Sequence, residues 1–427
     1  MAGLSREGDT IAAISTAPGK AALAVVRLSG PESFAVAAKM VDGALPAPGT
    51  FAHRRIKDVS GRVIDDALIL AFAAPKSYTG EDAIEFQCHG GGVVPARVLG
   101  VCIANGARLA DRGEFTYRAV MAGKIDLDEA ESILDLINAK TVKAADDAIS
   151  GMGGGRKKEA LRLYGMAIDL SALMEHSLDV DEDELPEGFF AMLDGKMLDF
   201  KTALEAALER ERRSKILRDG VTVVLSGPPN SGKSSLMNAL LGENRAIVSP
   251  EAGTTRDAVD AWLEVDGFPV RLIDTAGLRE TDSPVEAEGV RRARSMAESA
   301  DIVVNLGAAK RLGNGAGEGA KTILVHSKCD LSRGEGLNVS SVTGEGLDQL
   351  RTEIAARIAQ LERPDDSRHA GAYAWACAEI ERDGGNPELV IRANTMRRIG
   401  DALAELVGAV YSSDMLSRLF SRFCVGK

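Results

Sequence analysis

A chain of 427 residues with 45% apolar side chains is long enough for two to four domains, which excludes a lone binding module. Lys and Arg number 51 against 63 Asp and Glu, a net charge of −12, so a protein-wide basic face for nucleic acid is absent and any such site is local or belongs to a partner. Five cysteines lie far apart with no zinc spacing, the first residues carry no signal-like apolar core, and no run approaches the ~18 apolar residues that cross a bilayer; the expectation is a reduced, cytoplasmic protein with no membrane partner.

From Thr10 to about Lys124 short strand-like runs alternate with turns. Ala22–Leu28 and Asp66–Phe72 read as strands, and Asp82–Cys88 as an alternating strand ended by Gly90-Gly91-Gly92, so this first segment is mixed α/β. From Asp126 the texture becomes helical, with Leu127, Ala130, Leu134 and Ile137 on one face, an interruption at Gly151–Gly155, and further amphipathic stretches through Leu161, Tyr164, Ile168, Ala172 and through Leu193, Leu198, Leu204, Leu208. These predict a bundle. The acidic run Asp179–Glu184 reads as a solvated loop or helix end. Val221–Ser226 is a buried strand followed by a glycine turn, strand and helix then alternate to about Leu361, and helical texture returns after Pro364. The predicted architecture is α/β plus α: a mixed segment over 1–124, a helical domain split between 125–215 and 362–427, and a doubly wound nucleotide domain inserted over 216–361.

Gly227-Pro228-Pro229-Asn230-Ser231-Gly232-Lys233-Ser234 fits G-x-x-x-x-G-K-[ST] between that strand and an apolar helix. Backbone N–H groups from Asn230 to Ser235 can curl round a β-phosphate, Lys233 can reach the β- and γ-phosphates, and Ser234 can place its hydroxyl on magnesium. Asp274-Thr275-Ala276-Gly277 ends a buried strand: the carboxylate suits a magnesium shell and Gly277 can offer an N–H to a γ-phosphate. Between them Thr254 and Thr255 sit in a loop whose hydroxyl can complete the metal shell only while a γ-phosphate is present, which makes the loop a switch. Ser327-Lys328-Cys329-Asp330 ends another strand, and Asp330 can accept the two N–H donors of guanine, favouring GTP over ATP; Ser340 and Ser341 follow at the next strand end. Ser327 stands where an asparagine is usual, so a tether between loop and base is altered. Leu278 stands where many GTPases carry a water-orienting glutamine, leaving Glu280, Glu286 and Glu288 as nearby acids for that work.

Outside this region, Asp9-Thr10-Ile11-Ala12-Ala13, Val26-Arg27-Leu28-Ser29-Gly30, Tyr78-Thr79-Gly80-Glu81-Asp82, His89-Gly90-Gly91, Arg112-Gly113-Glu114-Phe115-Thr116, Gly123-Lys124-Ile125-Asp126-Leu127 and the terminal Phe423-Cys424-Val425-Gly426-Lys427 together resemble the MnmE (TrmE) family of tRNA-modifying GTPases. The resemblance implies an N-terminal domain that binds formyl- or methylene-tetrahydrofolate and dimerises, with folate contacts on Arg27, Glu85, Lys124 and Lys427. It implies a homodimer working in a heterotetramer with an MnmG (GidA)-like flavoprotein, which carries the FAD and NADH, to build an aminomethyl or carboxymethylaminomethyl group at carbon 5 of the tRNA wobble uridine. In the nucleotide domain it implies a potassium ion held by Asn230, Ser249, Glu251 and Thr254, magnesium on Ser234 and Thr255, and Glu286 orienting the attacking water. Cys424 is the one cysteine with a functional case, as a redox or nucleophilic thiol, against a small buried or folate-adjacent thiol. His89 is read as a turn histidine and Arg291-Arg292-Ala293-Arg294 as a solvated helix face. The rival reading is a ribosome-assembly GTPase that acts by binding only; one phosphate loop and a helical tail weigh against it.

Overall fold

The computed structural model describes residues 8–178, 185–228, 230–242, 260–274, 296, 298–307, 321–363, 367–384, 388–408, 420 and 423–426. The chain forms two compact units, 1–134 with 409–427 and 135–408.

In the first unit six strands form one sheet: β1 (Ile11–Ile14), β2 (Leu23–Ser29), β3 (Phe51–Lys57), β4 (Val63–Phe72), β5 (Ala83–His89) and β6 (Arg108–Leu109), in the order β3-β4-β5-β2-β1-β6. Only the β1–β6 pairing is parallel. Alternation decides which side chains face inward. Ala24, Val26 and Leu28 of β2 and Ile84, Phe86 and Cys88 of β5 are buried with the helices Ser33–Met40 and Val94–Ala104, while Arg27 and Glu85 face the other way. That second face is partly covered by the helix Glu114–Met121, whose Phe115 packs with Ile11, Ala13 and Ala110.

The end of the chain belongs to this unit. Phe420 and Phe423 share a core with Leu127, Ala130 and Leu134, each ring contributing roughly 1.5–3 kcal/mol by its burial. Val425 bridges to Arg112, and Gly426 lies so close to β1, at φ +97°, that a Cβ there would stand 2.3 Å from the Ile14 carbonyl. Only glycine fits that approach. The tail therefore runs with the N-terminal sheet rather than continuing the bundle over 362–427, because its two phenylalanines find their apolar partners there.

In the second unit, β7 (Val221–Ser226), β8 (Asp260–Val265), β9 (Phe268–Asp274), β10 (Ile302–Asn305), β11 (Thr322–Ser327) and β12 (Leu337–Val339) form a sheet in the order β12-β11-β10-β7-β9-β8. One face buries Val223, Leu225, Val270 and Leu272 beneath Leu236, Leu240, Leu350 and Ile354, and the other buries Val224, Ile273 and Val303 with Ala300; the sheet is doubly wound. Strand β8 is antiparallel to β9 through a turn at Asp266 (φ +50°) and Gly267 (φ +78°). The sheet is doubly wound as expected, with one antiparallel strand at its edge. An Asp-Gly pair between two apolar alternating runs is a hairpin signal, and it stood in the sequence.

The helices Gly155–Leu178 and Phe189–Asp219 before this sheet share one core with Arg368–Asp383 and Leu389–Gly408 after it, so the bundle is discontinuous and the nucleotide domain is inserted into it. The inward faces are partly those expected: Leu193 and Leu204 are buried, and Tyr164 and Leu208 pack against the same core. Ala160, Leu163, Ala167, Leu170 and Met174 are buried, whereas Leu161 is 45% exposed and Leu198 is 65% exposed. Small residues bring two of these helices close: a Cβ added at Gly400 would stand 3.0 Å from Ile168 Cδ1 and 4.0 Å from Ala167 Cβ. Likewise Ile137 is exposed at the end of the helix Leu127–Asn138. No described helix is long and apolar enough to cross a membrane.

Candidate functional sites

The phosphate loop leaves β7 and enters the helix Lys233–Leu241. Asn230 (φ +59°) and Gly232 (φ +89°) take left-handed backbone conformations that reverse the chain and aim successive N–H groups at one point. Lys233 is buried, and its ammonium donates to the carbonyls of Gly227 and Pro228, both at 3.0 Å. Ser234 donates from Oγ to Asp274 Oδ2 at 2.6 Å. A hydroxyl on a helix N-terminus and a carboxylate at the end of the parallel neighbour strand thus converge, the donor set a magnesium ion takes between protein and phosphate. Ser235 follows Ser234 on the same exposed first turn.

The base-reading loop is joined to this one. Ser327 Oγ donates to the Ser231 carbonyl at 2.7 Å, and Lys328, at φ +60°, donates from Nζ to the Asn230 carbonyl at 2.9 Å. Asp330 is exposed, and its carboxylate accepts from Ser340 Oγ at 2.6 Å. The Ser340 oxygen in turn accepts from the N–H groups of Val342 and Thr343, so the loop after β12 fixes the orientation of the Asp330 carboxylate. Ser341 lies beside it, half-buried. Ser249, Glu251, Thr254, Thr255, Thr275, Ala276, Gly277, Leu278, Glu280, Glu286 and Glu288, with the runs Asp179–Glu184 and Arg291–Arg294, lie outside the described residues.

In the first unit Arg27 and Glu85 are direct cross-strand partners of β2 and β5. Arg27 donates from Nε at 2.8 Å and from Nη2 at 2.7 Å to Glu85 Oε1, and its guanidinium lies over the rings of Tyr78 (5.4 Å) and Phe115 (5.6 Å). The pair lines a cavity of about 220 Å3 together with Ser29, Lys76, Tyr78 and Thr79. That volume suits a bicyclic ring head with its tail left outside, since sites enclosing a whole drug-sized ligand run to roughly 300–1,000 Å3. Burial raises the Tyr78 phenol above its usual range, against the Thr116 hydrogen bond and the Arg27 charge, so it stays neutral. Lys124 does not line the cavity: it donates to the Pro75 carbonyl at 2.9 Å and its stem crosses Gly80, bracing the loop that forms the wall. Cys424 is exposed, with its carbonyl accepting from the Gly113 N–H; Lys427 lies outside the described residues. His89 closes β5 rather than lying in the turn expected for it, and Asp65 of β4 accepts from its ring at 2.8 Å and from its backbone N–H at 2.7 Å.

Arg108 and Arg118, which the sequence reading left without a role, organise the buried polar groups behind this cavity. Glu114, 1% exposed, accepts from Arg108 and Arg118, and Asp9 does the same. Burial works to raise both carboxyls, but the arginine hydrogen bonds and charges outweigh it and hold them below the usual range. The motifs Asp9-Thr10 and Arg112-Gly113-Glu114 carried half of this network; their basic partners stood alone in amphipathic sequence.

Comparison with known proteins agrees with this geometry. Residues 10–124 match the family model described as GTP-binding protein TrmE N-terminus, and residues 127–424 match the MnmE helical domain. The tRNA modification GTPase MnmE of Azoarcus sp. (strain BH72) is 39% identical, with 99% of each chain covered. Those of Aromatoleum aromaticum (40%, 98% of each) and Neisseria meningitidis serogroup B (38%, 99% of this chain and 100% of the relative) are similar over the same extent. Models and relatives span nearly the whole sequence, and the chain belongs to the MnmE (TrmE) family.

Proposed function

We propose that this protein is a GTP hydrolase of tRNA modification. The observation that carries the reading is the phosphate loop with Ser234 on Asp274 and Ser340 on Asp330, within a chain similar end to end to proteins named for that activity. The hydroxyl of Ser234 and the carboxylate of Asp274 fit a magnesium shell, with Thr255 as the remaining protein ligand. A potassium ion on Asn230, Ser249, Glu251 and Thr254 would neutralise charge that develops between the β- and γ-phosphates, as a guanidinium does elsewhere, and Glu286 would orient the water that Leu278 cannot.

The cavity of Arg27 and Glu85 fits the ring of a formyl- or methylene-tetrahydrofolate: the carboxylate accepts ring N–H groups, and Lys124 and Lys427 stand for the acidic tail. The outward face of the same sheet supports a homodimer. Leu23 (60% exposed), Phe51 (69%) and Leu68 (37%) lie on it beside Val25 and Leu70, an apolar patch of the kind a second copy covers. The redox step at carbon 5 of the wobble uridine belongs to an MnmG-like flavoprotein partner with FAD and NADH, in the cytoplasm. We assign the segments 1–124 to folate binding and dimerisation, 125–215 and 362–427 to the helical domain, with the terminal residues from Phe420 packed on the first unit, and 216–361 to the G domain.

The test is nucleoside analysis of tRNA from a strain lacking the gene, complemented with the parent or with Lys233→Ala. Restoration of the carbon-5 modification by the parent alone is expected. Unmodified tRNA in neither strain, with defective ribosome profiles instead, would favour a ribosome-assembly switch.

A further inference from the structure

Beside the Arg27–Glu85 pair, the cavity wall holds two hydroxyls whose protons are already committed. Ser29 is fully buried and lies two residues beyond Arg27 on the same face of β2. Its Oγ is 2.7 Å from Glu81 Oε2 and 2.7 Å from Thr79 Oγ1. Glu81 is an ion-pair partner of Arg118, whose Nη1 stands 3.1 and 3.2 Å from its two oxygens, and a carboxylate so paired only accepts. Ser29 therefore gives its single proton to Glu81. Thr79, which also accepts the Glu81 N–H at 3.3 Å, must then donate to Ser29. Both hydroxyls are left with lone pairs alone to present to the cavity, and the Glu85 carboxylate on the neighbouring strand presents the same.

The order of protons is set from behind. Arg118 is itself fixed by the Asp9 carbonyl (2.9 Å), the Asp9 carboxylate (2.6 Å) and the buried Glu114 (3.1 Å). A guanidinium can reach all of these and Glu81 at once because its N–H groups diverge in one plane; a lysine ammonium cannot.

We propose that Ser29 is a specificity-determining contact of this cavity, selecting a ring edge rich in N–H groups, and that Arg118 is the positioning residue that fixes its proton through Glu81. The inference rests on the folate reading above and deepens it. A reduced pterin carries an amide N–H, ring amines and an exocyclic amino group along its edges, whereas a ring that offers an acceptor at this place sets lone pair against lone pair in a buried site.

The experiment is calorimetric titration of the full chain with 5-formyltetrahydrofolate, using the parent, Ser29→Ala, Glu81→Gln, the double variant and Arg118→Lys, with thermal unfolding confirming that each is folded. Ser29→Ala is expected to weaken binding about tenfold, the loss of one buried hydrogen bond with its partner left behind. Glu81→Gln is expected to do the same although Ser29 is intact, because the new amide can donate to Ser29 and turn its hydroxyl round. The double variant should then be no weaker than either single one, and Arg118→Lys should fall between them and the parent. Binding by Ser29→Ala within twofold of the parent, or additive losses in the double variant, overturns the inference while the folate reading stands. No binding by the parent removes both.

Discussion

The hydroxyl of Ser327 donates a 2.7 Å hydrogen bond to the carbonyl of Ser231, so a serine joins the base-reading loop to the phosphate loop at the position where an asparagine is usual. Lys328 adds a second bond between the two loops, to the Asn230 carbonyl.

Ser327→Ala is therefore expected to weaken guanine nucleotide binding about fivefold, one hydrogen bond being worth ~1 kcal/mol. Titration of a fluorescent GDP checks this. Ser327→Asn should bind at least as tightly as the parent, and an Ala variant equal to the parent would show that Lys328 alone holds the loops.

Ser340→Ala and Asp330→Asn separate holding the carboxylate from being it. The first removes the 2.6 Å bond that orients Asp330 together with the acceptor of the Val342 and Thr343 N–H groups, and should cost at least about fivefold in GDP affinity. The second removes two charge-assisted contacts to the base and should cost at least about a hundredfold. Competition of GTP and ATP for the site should show discrimination falling in the second variant and surviving in the first.

The pH dependence of the first unit follows from Glu114. Its carboxyl lies below the ordinary 4.5, burial opposing and Arg108, Arg118 and the Asp111 N–H prevailing. The stabilisation is then complete above that ordinary value and is lost as pH falls through the lowered one. Asp9 acts in the same sense. Glu114→Gln should be less stable at neutral pH and lose less stability than the parent on acidification below about pH 5. Thermal unfolding at pH 7 and pH 4 measures both; parallel losses in the two proteins would remove Glu114 from the account.

Phe423 tests where the tail belongs. It is buried with Phe420, Leu127 and Leu134, and Phe423→Ala should cost about 3–5 kcal/mol of local stability. Hydrogen exchange should show protection falling in β1 and in residues 127–134 and holding in the helices Arg368–Asp383 and Leu389–Gly408. Protection lost in those two helices instead would place the tail with the bundle.

What the sequence made legible divides by the strength of local signals. Strands β2, β4, β5, β7, β9 and β11 were readable as short apolar runs, three of them, β2, β5 and β7, ended by glycine, and the phosphate loop because its residues and spacing serve one chemistry. The inward faces of the long helices were readable only in part: Leu193 and Leu204 are buried as expected, whereas Leu161 and Leu198 are exposed and Ala160 and Ala167 are buried. The β8–β9 hairpin was missed because alternation of strand and helix outweighed the Asp266-Gly267 signal. Arg118 was invisible for a different reason: its carboxylate partners lie 109, 37 and 4 residues away, and no local pattern encodes a network closed by the fold. The bond from Lys124 to the Pro75 carbonyl was likewise invisible, since it joins residues 49 apart.

The account turns on hydrolysis assisted by a monovalent cation at a phosphate loop that has no glutamine after Gly277. The most direct measurement is GTP turnover by the full chain in potassium chloride and in sodium chloride at equal ionic strength. Turnover at least about tenfold faster in potassium, abolished by Glu286→Ala with GTP binding retained, is the predicted result; equal rates in the two salts would contradict it.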